Sequence, residues 1–272
     1  MELKGLRVTN EQLKTAGRWD IDYHLPPLGI ESFPRDMLTP TKEVADIVRV
    51  TTDPTKTPNV AFLYVDIASI DVETGTIITP QELTGEEAPS RARQIIQAYD
   101  VIVSTCRPTR GAIAVVPESL HGQICSTGFS VLRAKTNVNP FYIHYALRLP
   151  STLEQFRKWS TGSSYPAILD EDINKTLIPL PKSDIQDMIS KQILIAKAER
   201  AQIIKAVNKE WERVLNNIFD ALSQRKPISQ AKTNDQIVYS TDQIRERLGQ
   251  LPPITNNQVK ETSKDRQILE FT

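Results

Sequence analysis

The chain has 272 residues, a length that fits one large domain or one medium-sized domain with an appendage. Hydrophobic residues make up 39% and charged residues 24%, as in a folded globule, and the net charge of +0 argues against DNA binding through bulk positive charge. No run of 18 apolar residues is present and the start lacks the apolar core of a signal peptide, so we expect no membrane contact and a cytoplasmic protein.

Positive charge is concentrated in one stretch of the neutral chain, residues 88–135. Six basic residues lie there against two acidic ones, Asp100 and Glu118. Such a stretch indicates a side of the protein that faces a polyanion, and an ordinary solvated surface fits the charge count equally well. The six basic residues are Arg91, Arg93, Arg107, Arg110, Arg133 and Lys135.

The N-terminal third combines an irregular start with a first strand. Residues 1–40 contain several prolines and predict an arm that packs over a domain. The next residues, 40–50, are predicted to begin as a short helix, with Thr41 as N-cap and Glu43 in the first turn. The run Val60–Ile67 is continuously aromatic, β-branched or apolar, which predicts a buried strand.

Short β-rich pieces separated by glycine and proline occupy residues 100–134. Their close spacing predicts a curved, mostly antiparallel sheet. Two helices are predicted next, divided by Pro150, with Gly162 as the C-terminal cap of the second. A one-turn helix at Asp170–Asn174 and a final strand at Thr176–Leu180 are predicted to close the domain.

From Ser183 to about Leu222 the chain contains neither glycine nor proline. This predicts a helix of ~39 residues and ~58 Å, with Ser183 as N-cap and Gln186 at the capping-box position. In its second half, five apolar residues alternate at spacings of three and four, which is the pattern of a coiled-coil seam. A helix lying on its own domain is the alternative. The five residues are Ile204, Val207, Trp211, Val214 and Ile218.

The sequence contains few of the patterns that carry catalysis. Cys106 and Cys125 are possible nucleophiles, but no local signature joins either of them to a histidine base. A small buried cysteine in a strand is far more common than a reactive one. Metal-ligand spacings and glycine-rich phosphate loops are missing as well. The sequence therefore predicts no catalytic residue and no metal site.

Several segments, in their order and spacing, resemble the target-recognition domain of type I restriction–modification specificity subunits. They are "YVDIASIDVETGTI", "PSRARQ", "DVIVSTC", "STGFSVLRA" and "TGSSYPAILDEDINKTLIPLP", followed by the long helix. The resemblance covers about residues 17–222. One departure is Tyr99, which stands where the family usually has a glycine before the aspartate, so a turn is expected to differ there.

This resemblance implies an α+β or α/β domain with a curved, mostly antiparallel sheet and flanking helices, followed by a long coiled-coil-forming helix. The implied domains are residues 1–182 for target recognition with an N-terminal arm, 183–225 for a spacer and dimerisation helix, and 226–272 for a polar, weakly ordered tail. Family members usually carry two recognition domains and two helices. Since no second copy follows Leu222, a half subunit is expected.

The implied function is to read one half of a bipartite site in double-stranded DNA and to direct a partner adenine methyltransferase to it. S-adenosylmethionine is expected in that partner only, and a restriction subunit is a further expected partner. Two copies are expected to form a homodimer through the helix seam, because one domain and one helix related by a two-fold axis would reconstitute the usual pair. The chain itself is expected not to be an enzyme.

Residues on loops of the basic stretch and of the segment after Gly162 are the DNA-binding candidates, since arginines bind guanine edges or phosphates. For Arg91 and Arg93 the family keeps the segment across different targets, which favours a structural or backbone role. An ion pair of Arg93 with Glu86 or Glu87 is the structural alternative. The candidates are Arg91, Arg93, Arg107, Arg110, Thr109, Ser163, Ser164 and Tyr165.

Two other functions remain open on the sequence. The same fold and helix would serve a protein–protein adaptor that no longer reads DNA. The chain would also fit the recognition half split from a fused methyltransferase–nuclease. Enrichment of one DNA sequence from a random pool separates the specificity subunit from the adaptor.

Overall fold

The structure is a computed structural model that describes residues 7–19, 21–162 and 164–224. The chain divides into two compact units, Met1–Gln202 and Ile203–Thr272. The tail predicted at residues 226–272 lies outside the described residues, as does Ser163.

The first unit combines short strands with helices. Its strands are β1 (Leu38–Pro40), β2 (Ala45–Val48), β3 (Ala61–Val65), β4 (Ile70–Asp71), β5 (Thr76–Ile77), β6 (Gln81–Thr84), β7 (Ala92–Ile95), β8 (Val101–Ser104), β9 (Ile113–Val115), β10 (Ile124–Ser126), β11 (Phe129–Ala134) and β12 (Leu177–Pro179). The helices are α1 (Asn10–Ala16), α2 (Ile21–His24), α3 (Pro140–Leu147), α4 (Pro150–Trp159), α5 (Asp170–Lys175) and α6 (Ser183–Gln224), and α6 continues into the second unit.

Two four-stranded sheets form the centre of the first unit. In one, the strand order is β6-β3-β10-β7 and only the β3–β10 pair is parallel. In the other, the order is β2-β11-β8-β9 and every pair is antiparallel. Two small pairs, β1-β12 and β4-β5, are antiparallel as well. The predicted fold class, a mostly antiparallel sheet with flanking helices and a long helix after it, is confirmed.

The sheet β2-β11-β8-β9 is covered on both faces, which follows from the alternation of side chains along its strands. Val101 and Val103 of β8 pack with Phe156 and the other buried residues of α3, α4 and α5. Ile102, which points to the opposite face, packs with Val65 and other residues of the second sheet. The central strands are therefore buried on both sides and read as continuous hydrophobic runs.

The helix predicted at residues 40–50 is wrong. Thr41–Glu43 form only a single 3₁₀ turn, and the chain then enters β2. The β-branched residues of β2 pair with β11, and Ile47 lies opposite Leu132. Sheet pairing therefore overrides the local helix signals.

Two predicted caps are also wrong, although the helices themselves are present. Pro150 separates α3 from α4 as predicted and begins α4, and Ser160, not Gly162, caps the C-terminus of α4. Ser183 is already inside α6, so it is not the N-cap. The strand predicted at Val60–Ile67 and the helix and strand predicted at residues 170–180 are found within a few residues of their expected limits.

Tyr99, the departure from the family pattern, has a φ of 69°, in the left-handed region that favours glycine. Its amide donates to the Val116 carbonyl at 2.8 Å, and its hydroxyl donates to Glu118. The ring meets Phe141 edge to face with a centroid distance of 6.0 Å. The tyrosine thus keeps the turn that a glycine would allow, and its side-chain contacts offset the backbone strain.

Within the first unit, the first half of α6 is attached through polar groups. Gln186 is buried, and its side chain donates to the Pro181 carbonyl at 2.8 Å and accepts from the Asn139 amide at 3.1 Å. Arg200 forms an ion pair with Glu73 at 2.6 Å. Ile189 adds an apolar contact with the core around α3 and α4.

In the second unit, α6 exposes apolar side chains. Trp211 is 62% exposed and Val207 61%, and only Val214 among the five predicted seam residues is half-buried. Further along the helix, Phe219 and Leu222 are exposed as well. A membrane-crossing helix, which has to be both long and apolar, does not occur in the described part of the chain.

Candidate nucleic-acid interface

A first loop follows β8 and carries three of the predicted DNA-binding residues. Arg107 has a φ of 49°, and the 3₁₀ turn Pro108–Arg110 comes directly after it. Gly111 ends the turn with a φ of 69°. Arg107 and Gly111, one at each end of the turn, have left-handed backbone conformations that reverse the chain sharply. Thr109 and Arg110 between them therefore project into solvent.

A second loop is closed on itself by its own backbone. The amide and carbonyl of Thr161 bond reciprocally to those of Ala167, both at 2.9 Å. Gly162 has a φ of 92°, and a Cβ there would lie 3.0 Å from the Tyr165 carbonyl oxygen, so the closed loop requires glycine at this position. Tyr165 is 74% exposed at its tip, and Ser164 is exposed next to it.

The two loops lie side by side because their backbones bond to one another. The Arg107 amide donates to the Pro166 carbonyl at 2.7 Å, and the Ile168 amide donates to the Thr105 carbonyl at 3.0 Å. The Arg107 guanidinium lies over the Tyr165 ring, 4.9 Å from its centroid. A cation stacked on an aromatic face is pre-oriented for a planar or anionic partner.

Arg91 and Arg93 lie at another edge of this region, next to and in strand β7. Arg91 is exposed, and its carbonyl accepts from the Thr127 amide at 2.9 Å. Arg93 is half-buried and pairs with Asp53 at 3.1 Å. Arg93 therefore does form a structural ion pair, but its partner is Asp53 and not Glu86 or Glu87. Glu87 instead accepts hydrogen bonds from Thr84.

A cleft of about 410 Å³ opens next to the bases of the two loops and next to the segment bonded to Arg91. Thr127, whose amide is bonded to Arg91, lines it, as do Thr105 and Ile168 at the bases of the two loops. The rest of its lining combines apolar side chains with hydrogen-bond donors and acceptors. It includes Arg49, Thr51, Gln94, Phe129, Leu169, Asp170 and Glu171.

Sequence reasoning missed Arg49, Gln94, Asp170 and Glu171. Arg49 was hidden by the helix predicted at residues 40–50, although an arginine at a strand end, with Thr-Thr-Asp starting two residues later, is a typical loop signal. The two carboxylates begin α5, where acidic residues are explained locally by the helix dipole. Only the folded chain brings Arg49 to Asp170, 121 residues away.

Arg133 and Lys135, the other basic residues of the charged stretch, are occupied within the domain. Arg133 Nε donates to Asp100 Oδ1 at 2.8 Å and its Nη2 donates to Oδ2 at 2.9 Å. Asp100 is buried, and the bidentate pair satisfies it. Lys135 bonds to the Lys42 carbonyl at 2.6 Å and lies 3.4 Å from Asp46. These two side chains have structural partners.

The cysteines do not form a nucleophilic site in this geometry. Both are free thiols, and Cys125 is packed with Val65 and Phe129 between the two sheets. Burial, with a smaller contribution from the charge of Asp100, raises the pKa of Cys125 to about 12, so its thiol stays protonated at neutral pH. Among the described residues no group of three or more histidine, cysteine or carboxylate side chains is placed to hold a metal ion.

The family model of the type I restriction modification DNA specificity domain matches residues 41–213. This span holds both loops, the cleft and most of α6. No curated protein matches the sequence.

Two solved structures are similar to the chain. One is the HsdS subunit from Thermoanaerobacter tengcongensis, which is 36% identical with a TM-score of 0.53, over 68% of this chain and 48% of that one. The other comes from work on complex assembly and conformational transition of the type I R-M system, and is 36% identical with a TM-score of 0.55, over 71% of this chain and 50% of that one. The chain thus spans about half the length of these relatives, and it belongs to the family of type I restriction–modification DNA specificity domains.

Proposed function

We propose that this chain is the sequence-specific DNA-recognition subunit of a type I-like restriction–modification system and is not itself catalytic. One observation carries the proposal. The paired loops present Arg107 and Arg110 next to exposed Tyr165, and neither arginine forms an ion pair with a carboxylate among the described residues. Cations without a carboxylate partner, on loops held by backbone hydrogen bonds, are suited to a polyanion whose phosphates and base edges both accept hydrogen bonds.

The net charge of +0 fits this role when charge is considered locally. Arg91 lies on one side of the cleft and Arg107 with Arg110 on the other, so DNA seated over the cleft would meet positive charge at both flanks. Thr109 and Ser164 add short hydroxyls that can bond to phosphate oxygens or bases. Arg93 serves mainly to support β7, because Asp53 already takes its charge.

The partners follow from family membership and from α6. We propose that the chain directs an adenine methyltransferase subunit, which binds S-adenosylmethionine, to a bipartite site, and that this chain needs no cofactor of its own. A restriction subunit would join the same complex. Pairing with a second long helix is supported by the seam, whose residues other than Val214 are exposed: Ile204, Val207, Trp211, Val214 and Ile218.

We further propose that this second helix belongs to a second copy of the chain. A homodimer would place two recognition domains about one two-fold axis and would read an inverted repeat with a gap. The relatives, of which the chain spans about half, would provide both halves within one polypeptide.

The decisive experiment is selection from a pool of random-sequence duplex DNA by the full chain, alone and with the methyltransferase subunit of the same system. Enrichment of one bipartite sequence is expected, at least in the complex. The double variant Arg107→Ala/Arg110→Ala should lose most of this binding. Arg213→Ala is the matched control, because Glu210 already neutralises that exposed arginine at 2.6 Å in the second unit.

The result also separates the adaptor from the specificity subunit. Assembly with the methyltransferase but no enrichment of any sequence would contradict the proposed function and favour the adaptor. Binding that is enriched in sequence but unchanged by the double variant would place the recognition surface elsewhere on the domain.

A further inference from the structure

The rim of the cleft carries a donor and an acceptor to which no role has been assigned, Arg49 and Glu171. Both line the cleft, and both are exposed. They come from different elements, since Arg49 follows β2 and Glu171 lies in the first turn of α5. Neither side chain contributes to the hydrophobic core, so their position at the same opening is not explained by packing.

The guanidinium of Arg49 is held along one edge only. Nε donates to Asp170 Oδ2 at 2.9 Å and Nη2 donates to the same oxygen, while the side chain remains 72% exposed. A guanidinium has five N–H donors in a planar fork. With the Nε–Nη2 edge occupied, the Nη1–Nη2 edge still offers two parallel donors to solvent.

Asp170 is suited to hold this fork in place. Its side chain is only 22% exposed, and its other oxygen, Oδ1, accepts from the Ser130 hydroxyl of β11. The carboxylate is therefore fixed between the central sheet and the start of α5. An arginine anchored in this way loses little conformational entropy when it makes a second bidentate contact.

Glu171 differs from Asp170 in being free to accept. In the described part of the chain its carboxylate makes no hydrogen bond or ion pair within contact distance. It is nevertheless close enough to act on Arg49. Hydrogen bonding and charge attraction from Asp170, followed by the charge of Glu171, raise the pKa of Arg49.

We propose that Arg49 and Glu171 together read one G·C base pair of the target, with Asp170 as the residue that positions Arg49. This inference rests on the proposed function and extends it to a particular base pair. Arg49 donates to O6 and N7 of the guanine through its outer edge, and Glu171 accepts from the N4 amino group of the paired cytosine.

The chemistry of the other base pairs explains the selectivity. In the major groove guanine presents two acceptors and cytosine presents an amino donor, which matches one arginine and one carboxylate. An A·T pair would place the adenine amino donor against Arg49 and the thymine O4 acceptor against Glu171. Both contacts would be unfavourable, so the pair should discriminate against A·T on both strands.

The test compares the sequence enriched by the wild-type complex with those enriched by Arg49→Gln and Glu171→Gln, with the full chain, the methyltransferase subunit and the random duplex pool. We expect both variants to relax the same single position, by on the order of 10- to 100-fold in preference for G·C. At that position Arg49→Gln should admit adenine in part, because a glutamine amide matches adenine N6 and N7 while Glu171 still opposes the paired thymine. Arg213→Gln, which removes an exposed and paired arginine outside the cleft, should change no position.

Other results would overturn the inference in distinguishable ways. Weaker binding to all sequences alike would make Arg49 a phosphate contact, and unchanged preference at every position would make the Arg49–Asp170 pair purely structural. A wild-type complex that enriches no sequence would contradict the proposed function, and this inference with it. Circular dichroism of each variant guards against loss of fold, and Asp170→Asn, which keeps the shape of the anchor, should weaken the same position.

Discussion

The two halves of α6 differ in what they bury, although both expose apolar side chains. The first half, within the unit Met1–Gln202, buries polar Gln186 and Ser190 against its domain, while apolar Leu194 and Ile195 remain 42% and 48% exposed. The second half exposes apolar side chains along most of its length, with Trp211 the largest of them. Polarity alone therefore does not identify which face of this helix is packed.

The difference has a physical explanation. A buried amide is tolerated only where its hydrogen bonds are made, and Gln186 makes them with Asn139 and Pro181. Such matched contacts fix one geometry. An exposed apolar stripe gains free energy from any apolar surface that covers it, and its spacing selects another helix. The first half is specified by its own domain, and we infer that the second half is specified by a partner.

The strongest test of this comparison is a charge in the exposed half. The double variant Trp211→Glu/Ile218→Glu should raise the dissociation constant of the proposed homodimer on the order of 1000-fold, because two carboxylates would be desolvated in the seam. Sedimentation equilibrium measures the change. Asn216→Glu, on the polar side of the same turns, is the control and should dissociate little. A double variant as dimeric as the wild type would rule out the seam as the contact.

Because polar contacts attach the first half of α6 to its domain, we expect their removal to lower stability strongly. Gln186→Leu should lower the free energy of unfolding by about 3 kcal/mol, since the Asn139 amide and the Pro181 carbonyl lose their buried partners. Urea denaturation followed by circular dichroism measures it. Gln192→Leu changes an exposed glutamine of the same helix and should cost little. Equal stability of the two variants would show that Gln186 is not a specific anchor.

The buried side chain of His144 makes the free energy of unfolding depend on pH. Burial, helped by the charges of Lys197 and Arg148, lowers its pKa from 6.5 to about 3. The unfolded chain therefore takes up this proton first as the pH falls, so stability is lost from about pH 6.5 down to pH 3. Between pH 7 and pH 5 the wild type should lose about 2 kcal/mol more than His144→Gln. Urea titrations at the two pH values measure the difference, and parallel losses would contradict a buried neutral histidine.

The smallest effect is expected from removal of the second unit. Truncation after Gln202 should change the free energy of unfolding of the remaining unit by less than about 1 kcal/mol, because the polar anchors of α6 lie before this residue. Truncation after Pro181 removes Gln186 and Ile189 and should cost several times more. Thermal unfolding of both fragments makes the comparison. Similar losses from both cuts would place the boundary of the folded unit elsewhere.

Elements with strong local patterns could be predicted from the sequence. The strand around β3 is a continuous apolar run, and α6 has neither glycine nor proline over 39 residues or more, so neither assignment depended on the rest of the chain. The wrong assignment at residues 40–50 arose where local and tertiary preferences disagree. Thr41 and Glu43 favour a helix start, and the pairing of β2 with β11 prevails.

The candidate site could be predicted only in part for the same reason. Arg107, Arg110 and Tyr165 are on loops that punctuation by proline and glycine marks in the sequence, and the structure brings those loops together. The cleft between them and Arg91 depends on contacts between distant segments, such as Arg49 with Asp170. The roles in DNA binding of all these residues, and of the seam residues in dimerisation, remain predictions.

The backbone bonds that join the two loops have a consequence for how such a protein acquires new targets. The links Arg107–Pro166, Thr105–Ile168 and Thr161–Ala167 use main-chain atoms only. Side chains at the loop tips can therefore be exchanged during evolution without dismantling the support beneath them, apart from Gly162 and the left-handed position of Arg107. Under the proposed function, recognition would change on this frame while the fold stays fixed.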